Sequence, residues 1–136
     1  MNEGKFGSRG ELFFEIDLLA SDELIITVDA MLDTGFTDWL AINTQDALSL
    51  GWQLIDNSAS RLTALGEAQF ALYAGVVILD GEKLNIPVIV GEEIAEVLLG
   101  LPWLLERRLV VDVPENLLTL GKKKLSIARL SDHLNE

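Results

Sequence analysis

The chain contains no cysteine, one histidine and three prolines among its 136 residues. Lack of cysteine excludes disulfides, thiolate zinc sites and thiol nucleophiles, and it suits a reducing compartment. The lone histidine, His133, stands in a polar tail, so neither a hydrolytic triad nor a histidine metal site has enough material. Cations are scarce as well. Ten Lys and Arg face 22 Asp and Glu, leaving a formal net charge of −12. That charge repels phosphate backbones and anionic membrane surfaces, so nucleic acid and membrane are not expected as partners. Lys122-Lys123-Lys124 reads as a solvated edge in this acidic setting. Long apolar runs are also missing. The longest without a charge, Phe70 to Leu79, is too short to span a bilayer, and MNEGKFGSRGE has no apolar stretch of the kind a secretion signal needs. These absences lead to the expectation of a soluble, cytoplasmic protein.

What is present is apolar: 49% of the residues are hydrophobic, enough for one domain with a core of its own. Glu11 to Leu19 and Glu23 to Met31 are rich in Phe, Ile, Leu and Val around Ser21-Asp22, which reads as a β-hairpin. Trp39 to Ile42 is a short apolar run, and Asn43 or Thr44 is placed to cap a short helix through Leu50 that Gly51 ends. Arg61 to Leu65 and Glu67 to Leu72 flank Gly66 as a second hairpin, whose second arm runs on to Leu79. Asp80-Gly81 is a turn, and Leu84 to Val90 returns as a strand in which Pro87 implies an edge or an irregularity. Val97-Leu98-Leu99-Gly100 is a further strand, Leu101 to Arg107 suits a short helix with Pro102 in its first turn, and Leu109 to Val113 pairs with Leu117 to Leu120. Trp39, Trp52 and Trp103 each stand within an apolar run and are expected in the core. Many short strands at close spacing and one or two short helices predict an all-β fold, a small barrel or sandwich. The domain is expected over residues 1–121. The polar tail, 122–136, carries Ile127, Leu130 and Leu134 at helical spacing.

One stretch does not fit a purely structural reading. In VDAMLDTGFTDWL an apolar strand ends by placing Asp33 directly before Thr34 and Gly35. A carboxylate at the end of a buried strand has to be solvated, hydrogen-bonded or used. Alone, Asp-Thr-Gly is also what a turn looks like, with the carboxylate capping nearby amides. Asp29, on the same face of the strand as Asp33, suggests a two-carboxylate metal site or an Asp-based phosphatase. The second acidic position of a phosphatase motif is occupied by Gly35.

The order of three elements adds weight to Asp33. Met31-Leu32-Asp33-Thr34-Gly35 is followed by a hairpin around Gly66 and then by Leu98-Leu99-Gly100 before a short helix. This arrangement resembles the retropepsin-like aspartic proteases, the homodimeric relatives of pepsin, over roughly residues 11–121. Viral members usually carry alanine where this chain has Phe36. The Asp-Thr-Gly-Phe form and the Leu-Val-Val-Asp-Val hairpin are similar to the prokaryotic branch. The resemblance implies a closed acid-protease barrel and a catalytic loop at Asp33, Thr34 and Gly35. It also implies a flap near Ala64, Leu65 and Gly66, with Phe36 and Asp38 in the substrate cleft. Thr34 would tie the two loops of a dimer together, while Asp38 has a solvated loop position as its other reading.

The chemistry agrees with the resemblance. Hydrolysis of a peptide bond without a metal or a nucleophilic side chain needs one group to take a proton from water and another to give one to the carbonyl oxygen. Two adjacent carboxylates sharing a proton do both. One chain carries a single such triplet, so the second Asp33 has to come from an identical chain across a two-fold axis. The expectation is an aspartic endopeptidase, homodimeric, acting on peptide or protein without a cofactor or metal. Two other readings keep the same residues: a non-catalytic dimeric peptide-binding module, and a structural barrel in which the triplet is a turn.

Overall fold

A computed structural model describes residues 2–122. Beyond Lys122 the polar tail, including Ile127, Leu130, His133 and Leu134, lies outside the described residues. Among the described residues ten strands form one sheet: β1 (Asn2–Phe6), β2 (Leu12–Leu19), β3 (Ile25–Leu32), β4 (Leu40–Asn43), β5 (Gln53–Thr63), β6 (Gly66–Leu79), β7 (Glu82–Gly91), β8 (Leu98–Leu99), β9 (Arg107–Asp112) and β10 (Leu117–Lys122). Six of them, in the order β6-β7-β4-β8-β3-β2, close into a barrel because β2 pairs back onto β6 at Leu18 and Val77. Closure removes the open edges that a flat sheet would leave.

Alternation along the strands explains which face is inside. Phe14, Ile16 and Leu18 of β2, Leu40 and Ile42 of β4, Val77 and Leu79 of β6, and Val88 and Val90 of β7 are all buried, and together with Leu99 they fill the barrel. The expected helix is α1 (Thr44–Leu50). Asn43 caps it by accepting from the Gln45 amide, and Gly51 closes it. The second helix is a 3-10 segment, Leu101–Leu105, with Pro102 in its first turn and Trp103 only 1% exposed. Trp103 meets Trp39 edge-on at 5.1 Å, and its indole N–H donates to the Trp39 carbonyl at 2.6 Å. Trp52 is also buried. Pro87 sits one residue before the stretch of β7 that β4 covers, so its missing N–H falls where only β6 lies alongside.

Two features extend the sequence reading. Asn2–Phe6 forms β1, which joins β2 to β10. β5 begins at Gln53, well ahead of Arg61, and carries register shifts around Asp56 that leave it irregular. The buried Arg107 reaches Asp80 at 3.5 Å and Glu82 at 3.6 Å and lies over the Trp103 ring. This contact ties the C-terminal hairpin to the β6–β7 turn.

Candidate active site

The end of β3 is held by β8, which lies parallel to it, with Met31 beside Leu98 and Leu32 beside Leu99. The Asp33 amide continues this pairing by donating to the Leu99 carbonyl at 2.9 Å. The chain then turns at Thr34-Gly35, where the Phe36 amide donates to the Asp33 carbonyl at 3.0 Å. The Asp33 carboxylate accepts from the Gly35 amide at 2.9 Å and remains exposed. It is therefore oriented by the backbone without being buried, which leaves it accessible to water.

The other side of the loop is held just as closely. The Leu101 amide donates to the Phe36 carbonyl at 2.8 Å, and the Gly100 amide donates to that of Trp39 at 3.2 Å. A Cβ on Gly100 would overlap the Asp38 carbonyl oxygen and lie 2.7 Å from that of Phe36. The glycine of Leu98-Leu99-Gly100 is thus required by the close passage of two backbones, not by its dihedral angles.

A cleft of about 350 Å3 opens beside Asp33. Gly35, Phe36 and Asp38 line it, together with Arg61, Leu62 and Thr63 from the end of β5. Thr34, Ala64, Leu65 and Gly66 do not line it. Ala64 and Leu65 form the turn of the β5–β6 hairpin, where Leu65 is 101% exposed and Gly66 has φ of 111°. Asp29 is apart from the cleft, in an exposed ion pair with Lys5 at 2.8 Å. No group of acidic or histidine side chains able to hold a metal ion occurs among the described residues.

One pairing at the cleft escaped the sequence. Asp38 accepts from Arg61 through both oxygens, from Nε at 2.8 Å and from the terminal NH2 group at 3.2 Å. The hydrogen bond to Asp38 is the main reason that the Arg61 guanidinium is held above its usual range. Charge complementarity was visible in the sequence; which of ten cations would meet which acid was not.

No protein-family model matches the chain, and no curated protein sequence matches it significantly. Among the described residues, no helix is long and apolar enough to cross a membrane. Solved structures do match. A retropepsin-like aspartic protease from Rickettsia conorii superposes with a TM-score of 0.59 at 24% identity, covering 88% of this chain and 89% of that one. The EIAV protease, solved with the inhibitor HBY-793, gives a TM-score of 0.55 at 14% identity, over 71% of this chain and 86% of that one. With its six-stranded closure, its Asp33 turn braced by β8 and these two structural neighbours, the chain has the retropepsin-like fold.

Proposed function

We propose that the protein is an aspartic endopeptidase whose active unit is a homodimer with one Asp33 from each protomer. The observation that carries this reading is the backbone-oriented, solvent-accessible Asp33 carboxylate at the mouth of a cleft. Its setting in a fold shared with two proteases supports it. Among the described residues of one chain the cleft has one other carboxylate, Asp38, and both of its oxygens are engaged by Arg61. The second acid of the dyad therefore comes from a second copy of the chain.

In the dimer one Asp33 is ionised and takes a proton from a bound water, whose oxygen attacks the scissile carbonyl carbon. The other Asp33 is protonated and delivers its proton to the carbonyl oxygen. The tetrahedral diol then collapses as the C–N bond breaks, and the departing nitrogen takes up a proton from the dyad. No metal or cofactor is needed for these steps. Thr34 braces the two loops against each other, and the β5–β6 hairpin serves as a flap that covers the peptide and excludes water. A cysteine-free chain suits action in the reducing cytoplasm.

Cleavage of an unbiased peptide library, measured across pH beside Asp33→Asn, tests the reading. Cleavage is expected to peak at mildly acidic pH, where the dyad holds one proton, and to fall about 10²- to 10⁴-fold in Asp33→Asn with folding intact. Unchanged cleavage by the variant, a rate climbing steadily into alkaline pH, or activity from a monomer in sedimentation would overturn it. Peptide binding without cleavage would favour the binding module.

A further inference from the structure

The cleft beside Asp33 is lined by Ala41, Phe70, Ile89, Ile94 and Leu98, all apolar. Away from Asp33, its charged wall is the contact between Asp38, in the loop after Gly35, and Arg61, near the end of β5. That wall is a two-point fork. Nε and one terminal nitrogen of Arg61 occupy the two oxygens of Asp38, and the remaining nitrogen donates to the Ser60 carbonyl at 2.8 Å. Three of the guanidinium's five N–H groups have protein acceptors, one on each nitrogen, so the group is fixed in plane with its charge turned to Asp38. The two side chains are 35% and 22% exposed, enough for a ligand to sense either charge if its partner were removed.

An unpaired Asp38 here would attract lysine or arginine side chains, and the net charge of −12 would reinforce that attraction. An unpaired Arg61 would attract carboxylates. Paired, the two cancel, and this side of the pocket offers apolar surface beside a neutral pair. We infer that Arg61 is a specificity-determining residue: by occupying both oxygens of Asp38 it keeps this wall of the pocket neutral, so the pocket selects an apolar side chain of a bound peptide there. This rests on the peptide-directed role proposed above, and it assigns to Arg61 the discrimination that an acidic cleft residue would otherwise impose.

The test uses the full chain carrying Asp33→Asn, so that peptides are bound and not consumed. A display library of random peptides is selected on four versions: this parent, Arg61→Met, Asp38→Asn, and both changes together. The parent is expected to enrich apolar residues at one peptide position. At that position Arg61→Met is expected to enrich Lys and Arg about tenfold, and Asp38→Asn to enrich Asp and Glu about tenfold, the scale of one lost charge partner at a half-buried site. The double variant returns to the apolar preference, which a merely structural role for the pair would not produce. If Arg61→Met does not fold, Asp38→Asn and the double variant decide the matter. Single variants that keep the parent's preference, or no peptide bound by any version, overturn the inference. If the charge swap appears while the chain with Asp33 intact cleaves none of the selected peptides, the endopeptidase reading fails and the role of Arg61 stands.

Discussion

The Asp33 loop and the tip of the β5–β6 hairpin are both short turns, and the barrel treats them in opposite ways. Residues 33–39 are clamped from below by Leu99, Gly100 and Leu101 through three backbone hydrogen bonds, in space too tight for a side chain at Gly100. At the hairpin tip, Leu62 is 87% exposed and a Cβ on Gly66 would meet nothing. The tip is organised by its own hydroxyl: Thr63 donates to the Gly66 carbonyl and accepts from the Leu65 amide. The group proposed for chemistry is thus fixed by the scaffold, and the segment proposed to cover a ligand is tied mainly to itself. Arg61–Asp38 is a side-chain link between them.

The sharpest way to break this contrast is Gly100→Ala. The added methyl meets backbone oxygens that cannot swing away, so a loss of about 3 kcal/mol in urea unfolding is expected, with peptide binding lost alongside. Asn43→Ala comes next. Besides capping α1, the Asn43 side chain donates to the carbonyls of Glu92 at 3.2 Å and Ile94 at 3.3 Å, holding the segment that carries one wall of the cleft. Its loss is expected to lower stability by about 2 kcal/mol. Gly66→Ala probes the other side of the contrast. Positive φ without a steric neighbour predicts a cost of about 1 kcal/mol or less, confined to the hairpin. A Gly66→Ala loss as large as that of Gly100→Ala would show that the tip is held as firmly as the loop.

The smallest effect belongs to the exposed Lys5–Asp29 pair. A hydrogen bond to Asp29 is the first cause that raises Lys5 above its ordinary value of 10.5. A raised cationic pKa stabilises the fold below the unfolded value and loses that contribution as pH rises through the folded one. Unfolding curves of the parent and Lys5→Met are therefore expected to differ slightly below pH 10.5 and to converge above it.

Much of this arrangement was legible in the sequence where local chemistry is strong. The α1 helix came from a cap and a terminating glycine, the hairpins from turn residues between apolar runs, and the Asp33 turn from its triplet. The readings fell short where a segment is shaped by distant partners. Asn2–Phe6, with Asn, Glu, Gly and Lys, has little strand character of its own and becomes β1 because β2 and β10 flank it. The early part of β5 is polar and bulged, so no period of two could reveal it. The cleft joins residues from β3 to β8, and nothing local to Arg61 names Asp38 as its partner.

The seam between β1 and β10 has a consequence for how the chain is made. Asn2 lies opposite Leu120, and Glu3 opposite Thr119, so β1 waits for a partner strand made much later in synthesis. The barrel closure at Leu18 and Val77 and the parallel pairs of β4 with β7 and β3 with β8 likewise join segments far apart in synthesis. Such long-range pairing slows folding and leaves strand edges open in the interim. Nascent chains stalled before residue 107 would carry β1 without its β10 neighbour, and they are the species in which a chaperone, or aggregation through that unpaired edge, would first make itself felt.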